Sequence, residues 1–408
     1  MTIAPESLQS DTALKGPTAF WEQPEDTSVF NFDQGLAAHE SFPREELARL
    51  ARKVVEADAS TLDYFAPWVG YPELTFGSKR LRELITERIA SLQGRSLPSE
   101  GVILTSGSVQ AIALAARGFI NPGDVVAIEQ VTFPYGARYL EEAGARLLPI
   151  PIDRQGMDVD ALEEEIGRLA SRSERLKMVY VGPTFHCPTG AEMSVERRHK
   201  LVELAHRHRF MVLEDDCYGE LRFAGDPLPS LLSLDDQGFV MQAGTFSKTI
   251  APALRMGWMA GTPKVIEALA AVRQDLGVSQ WIARLMTEYL SEGLLDPHVA
   301  KVNRLYEQKC MAAVEGMRLA GDLVRFEIPR GSFYLWVEID ERVDWDRAQQ
   351  EAARAKIYFR PGERFIAGDE KRQFFRMAYS LEPLERVREG AAKMGTIIRE
   401  CARASVSA

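Results

Sequence analysis

Gly244-Thr245-Phe246-Ser247-Lys248-Thr249-Ile250-Ala251-Pro252-Ala253-Leu254-Arg255-Met256-Gly257-Trp258 follows a short apolar run, Phe239-Val240-Met241, and carries the reading of this chain. Lys248 leaves a strand-like segment with almost no other charge around it. An ammonium at a buried strand exit is costly to desolvate unless it is paired or deprotonated. Chemistry that needs a lysine of lowered pKa, an amine that condenses with an aldehyde, uses such a position. Thr245 and Ser247 stand three and one residues before Lys248, and Arg255 seven after it. They offer donors and a cation for a phosphate group. A lone lysine after an apolar run is ordinarily a solvated surface residue, so its weight here comes from the segments around it.

Outward from that stretch the chain alternates short apolar runs with helical patterns. Strands are expected at 102–104, 125–128, 178–181, 211–213 and 239–241, with helices at 80–92, 109–119, 135–143 and 195–208 between them. Strands apolar throughout and separated by helices indicate a parallel sheet covered on both faces. After residue 295 the texture changes to a long helical stretch at 297–319, strands at 324–328, 333–339 and 376–379, and helices at 344–356 and from 383 onward. The expected fold class is α/β, a large domain with a mostly parallel sheet covered by helices on both faces, plus a smaller α+β domain. Residues 1–30, rich in Ser, Thr, Pro and acids, are expected as an N-terminal arm. Residues 58–295 are expected as the large domain, and 31–57 with 296–408 as the small one. Pro43 and the acids Glu45 and Glu46 mark a helix start within 31–57.

Composition excludes several classes. With 408 residues, 46% hydrophobic and 26% charged, the chain has the make-up of a globular enzyme. A net charge of −10 argues against a nucleic-acid or membrane-surface binder. No apolar run approaches the roughly 20 residues of a membrane span, and no signal peptide is visible. Cys187, Cys217, Cys310 and Cys401 are scattered without metal-type spacing, so no metal and no disulfide framework are expected, and the cytoplasm is the expected compartment.

In open α/β sheets ligands bind beyond the carboxyl ends of the strands. Ser106-Gly107-Ser108 lies there, before a helix whose free N–H groups suit a phosphate; a plain serine cap is the bland alternative. Asp215, in Glu214-Asp215-Asp216-Cys217-Tyr218, needs a cationic partner, and a protonated pyridine nitrogen is one. Tyr218 could bond a phenolate oxygen on the same ring. Phe133 could stack on an aromatic face, or be an ordinary core residue. His186-Cys187-Pro188-Thr189-Gly190 reads as a turn beside them.

Taken in order, these residues resemble the fold type I pyridoxal-phosphate enzymes, specifically the class I/II aminotransferases. The likeness spans roughly residues 30 to 395 and rests on the signature running from Ser247-Lys248 through Pro252 and Arg255 to Gly257-Trp258. It is nearest to the branch of 2-aminoadipate-type aminotransferases and the aminotransferase domains of MocR-type regulators. The resemblance implies pyridoxal 5'-phosphate as cofactor, an aldimine on Lys248, Asp215 against the ring nitrogen, and Tyr218 on the 3-oxygen. It places Ser106, Gly107, Ser108, Thr245, Ser247 and Arg255 around the phosphate. It assigns Arg376 to the substrate α-carboxylate, Gly35 to the substrate mouth, and Tyr71 to the neighbouring subunit's phosphate in a homodimer with shared active sites. An amino acid and a 2-oxo acid are the implied substrates.

One departure stands out. The family's turn reads Asn-Pro-Thr-Gly, its asparagine donating to the cofactor's 3-oxygen, and here that place is Cys187, a weak donor. His186 either compensates or is a plain loop histidine. The departure leaves open a different outcome on the same cofactor, that of a lyase, cyclase, racemase or oxygen-using enzyme. A cofactor-sensing regulator domain without turnover and a structural protein that has lost catalysis are the other readings, the latter opposed by the intact lysine, acid and arginines. The substrate side chain is not legible.

Overall fold

The computed structural model describes residues 28–63, 71–368, 370 and 372–403. The expected arm over 1–30 and the loop around Trp68 therefore fall largely outside the described residues. The larger sheet has seven strands, in the order Val102–Thr105, Gly257–Ala260, Val240–Thr245, Met211–Asp215, Leu176–Val181, Val125–Glu129 and Arg146–Ile150. All neighbours are parallel except Gly257–Ala260, which is antiparallel to both of its partners. The strand period of two divides the apolar side chains between two cores. Leu104, Ala127, Val179, Val212 and Val240 join Leu81, Ile85, Leu162 and Leu201 on one face. Ile103, Val126, Met178, Leu213 and Met241 join Ile112, Leu140 and Ile266 on the other. Helices thus cover both faces, which is why the strands read as unbroken apolar runs. Each such Leu or Ile is fully buried, and truncating one to alanine costs about 2–5 kcal/mol.

The expected α/β architecture is present, and in the seven-stranded sheet two strands are ones that the sequence reading did not pick out. Arg146–Ile150 is an edge strand with mostly exposed or half-exposed side chains, and Pro149 inside its apolar run reads against a strand. Gly257–Ala260 is hidden inside the lysine signature.

A second sheet orders Phe30–Phe32, Ile357–Pro361, Gln373–Ala378, Tyr334–Ile339 and Val324–Arg325. It packs on the helices Trp345–Arg354 and Leu384–Glu400 through Trp345, Ala348, Val387, Ala391 and Met394. Only Val324 and Arg325 of the expected strand at 324–328 pair. The segment 31–57 packs into both cores. Phe30 and Phe32 belong to the small-sheet core. Leu50, on the helix Arg44–Ala57, is buried in the large core, and that helix packs on Gln280–Ser291. Helix Leu295–Met317 links both: Leu295 lies in the large core and Val314 and Met317 in the small one. Between them, Val302 and Tyr306 pack with Tyr218, Phe333 and Tyr334. Among the described residues no helix is long and apolar enough to cross a membrane.

Candidate active site

The sheet gathers at one edge what the sequence separates. Thr105, Gly257 and Thr245 are in register across three strands, so Ser106-Gly107-Ser108, Ser247-Lys248 and Arg255 emerge together. Asp215 ends the next strand, opposite Ala243. Lys248 is half-buried. Its Nζ donates to the Gly35 carbonyl at 3.2 Å and lies 5.5 Å from the Tyr218 ring and 5.8 Å from the Phe333 ring. Burial holds the amine below the ordinary lysine pKa, against the opposing pull of the Cys217 and Cys187 thiols. An amine with a lowered pKa serves as a nucleophile and a base near neutral pH.

Phe133, Tyr180, His186, Cys187, Asp215 and Tyr218 line one recess. Asp215 accepts from Tyr180 Oη at 2.8 Å and from Cys217 Sγ at 2.7 Å. Burial pushes its carboxyl above the usual range, while those two donors pull it back. A cation against the carboxyl would hold it ionised. Burial also raises the Cys187 thiol, against the nearby Arg376. His186 is not a free loop residue: it is 3% exposed, its Nε2 lies 3.1 Å from Glu129 Oε2, and its Nδ1 lies 2.8 Å from Thr189 Oγ1. Gly182 N donates to the same Glu129 oxygen at 3.0 Å. The pair therefore ties the turn to the end of strand Val125–Glu129.

The phosphate side can be tested on Gly107. Its φ is +85°, and a Cβ there would come within 2.8 Å of Arg255 Nη2. The Arg255 guanidinium donates to the Ser106 carbonyl while the residue stays exposed. Thr245 Oγ1 lies 2.9 Å from Ser247 Oγ, and helix Ser108–Phe119 begins at the same place. A bare glycine, a helix start, two hydroxyls and an arginine form the donor set a phosphate ester requires, so the residues fit the cofactor. Gly107→Ala is expected to weaken pyridoxal phosphate about tenfold or more, from roughly 1–3 kcal/mol of strain at a backbone conformation (φ +85°, ψ 169°) that essentially only glycine adopts, added to the contact with Arg255. A spectroscopic titration of the apoenzyme with cofactor checks it.

Arg376 is 4% exposed. Its Nη2 donates to the Asp33 carbonyl at 2.5 Å, and the guanidinium lies 4.4 Å from the Tyr334 ring and 4.8 Å from that of Phe365. Its Nε is buried without a partner. Gly35 is required by close approach, since a Cβ there would fall 2.1 Å from Tyr334 Oη. Tyr71 opens the helix Tyr71–Phe76, and its side chain lies outside the described residues. Sequence reasoning missed Tyr180, Glu129 and Tyr334. The signal for Tyr180 was a phenol inside a buried strand, which needs a partner for its hydroxyl.

The family described as aminotransferase class I and II matches residues 29–393. The chain belongs to this family. It is a pyridoxal-phosphate-dependent aminotransferase, acting on an amino acid and a 2-oxo acid. It is 31% identical to aromatic-amino-acid aminotransferase 1 of Thermococcus litoralis, over 92% of this chain and 89% of that one. It is 29% identical to the 2-aminoadipate transaminase of Thermus thermophilus, over 91% and 90%. The solved kynurenine aminotransferase of Pyrococcus horikoshii, in complex with PMP, superposes with a TM-score of 0.88 at 30% identity, over 98% of both chains.

Proposed function

We propose that Lys248 holds the cofactor and carries the proton in this aminotransferase, with Asp215 at the ring nitrogen, Tyr218 at the 3-oxygen and Arg376 at the substrate. The observation that carries the assignment is an amine of burial-lowered pKa at the same sheet edge as Asp215. When bound, pyridoxal phosphate supplies an electron sink that makes the Cα proton of an attached amino acid acidic. Asp215 would stand against the ring nitrogen and favour its protonated form. Ser106, Gly107, Ser108, Thr245, Ser247 and Arg255 would anchor the phosphate, and Phe133 would cover a ring face. Arg376 grips the α-carboxylate, Gly35 leaves room beside it, and Lys248 Nζ takes the proton at Cα. The rings of Tyr218 and Phe333 beside Nζ keep bulk water from the amine.

Three structural assignments belong to the same proposal. Residues around the seven-stranded sheet act as a cofactor domain and those around the five-stranded sheet as a small domain, with the Arg44–Ala57 helix on the cofactor side. The chain forms a homodimer in which Tyr71 reaches the partner's phosphate. Exposed Leu62 and Trp281, with Leu276 just ahead of helix Gln280–Ser291, support an apolar face there. A cytoplasmic setting is supported by four free cysteines.

The test is a panel of amino acids mixed with 2-oxo acid acceptors, read by product mass. Paired appearance of a new amino acid and a new 2-oxo acid is expected. Elimination, cyclised or oxidised products without an amino acceptor would overturn amino transfer.

A further inference from the structure

Cys187 stands where the resemblance implies an amide donor to the cofactor's 3-oxygen, and another hydroxyl lies close by. The Tyr334 hydroxyl lies 2.6 Å from the Tyr218 hydroxyl, and its ring lies under the Arg376 guanidinium, whose Nη1 is 3.9 Å from the Cys187 thiol. Tyr218 and Cys187 are the two residues assigned to that ring oxygen. The phenol is also held from every side. Its backbone opens the strand Tyr334–Ile339 opposite Ala378. Its ring packs edge-on against Tyr218 at 5.6 Å and carries the Arg376 guanidinium at 4.4 Å. Gly35 is bare where the hydroxyl approaches. The residue is 3% exposed, so orienting it at the site carries little further entropy cost.

We propose that the Tyr334 hydroxyl is the second hydrogen-bond donor to the cofactor's 3-oxygen, taking the place of the amide that Cys187 does not supply. Tyr334 is then a positioning residue that links the arginine gripping the substrate carboxylate to the electronics of the ring. Burial raises its pKa, so the hydroxyl keeps its proton near neutral pH and remains a donor. The inference rests on the assignment of Lys248, Tyr218 and Arg376 above.

The test follows the visible absorbance band of the holoenzyme with pH. Each donor removed from the ring oxygen leaves more negative charge beside the protonated nitrogen joining cofactor and lysine, which raises that nitrogen's pKa. Tyr334→Phe is expected to raise the apparent pKa of the band by about one unit, tenfold in the proton equilibrium. Adding Cys187→Asn to Tyr334→Phe is expected to restore most of the shift, because the amide then supplies the donor. An unshifted Tyr334→Phe, or a double variant that stays shifted, overturns the proposal. If Tyr334→Phe fails to fold, Cys187→Asn alone decides. A change well below about one unit supports a place already served by Tyr334, and a fall of a full unit or more overturns it. A wild type that shows no such band on loading would sink the Lys248 assignment instead, which separates the two failures.

Discussion

Lys248→Ala is expected to reduce transamination by about 10⁴-fold or more, the upper range for a positioned proton-transfer group, and to abolish covalent capture of the cofactor. The second effect is read without turnover. Borohydride treatment of loaded wild type should add the cofactor's mass less one oxygen (water leaves on condensation and two hydrogens are gained on reduction) to the peptide containing residue 248, and the variant should take up none. The loss is chemical rather than structural. In the folded chain Nζ has one hydrogen bond, to the Gly35 carbonyl, and two aromatic neighbours. Burial already disfavours its charged form, so removing the amine takes away a group the fold does not favour. The melting temperature of the apo variant should therefore equal or exceed that of wild type. Retained trapping at another lysine would overturn the assignment; among the described residues the buried Lys309 lies at the Ser380 carbonyl and Glu40 instead.

The fold was legible because burial on both sheet faces writes itself as unbroken apolar runs. Where that condition fails, legibility fails too. Arg146–Ile150 has one covered edge and half-exposed side chains, and Leu50 lies on a helix whose sequence neighbours do not reveal which core it enters. The site was legible as far as one residue carries one chemical demand: Lys248, Asp215 and Arg255 each need an explanation where they stand. Tyr334, Glu129 and Tyr180 acquire meaning only through partners distant in sequence. Tyr180 meets Asp215, Glu129 meets His186, and Tyr334 meets Tyr218. No local pattern encodes such pairs, which is why His186 looked idle in the sequence and is anchored in the structure.

Asp215→Asn carries the second large expectation, a fall in kcat of about 10³-fold with a smaller change in KM. A unit charge pair about 4 Å apart is worth roughly 4 kcal/mol at an effective dielectric near 20, and about 1.4 kcal/mol is tenfold in rate. The amide keeps the shape and can still accept one of the two hydrogen bonds from Tyr180 and Cys217, so the recess should survive. What is lost is the charge that, in the proposed function, favours the protonated ring nitrogen. The neighbouring acid does not substitute. Asp216 lines a different cavity with Ile85 and Trp258, and burial beside Glu214 pushes its carboxyl up to about 7. Because the charge matters most where negative charge develops on the ring, the defect belongs in kcat and not in substrate binding, which the proposed function gives to Arg376. Steady-state kinetics with the cofactor kept saturating would show it. A variant within about threefold of wild type in kcat would mean the ring nitrogen is not held by this carboxylate, and the orientation of the cofactor in the recess would have to be redrawn.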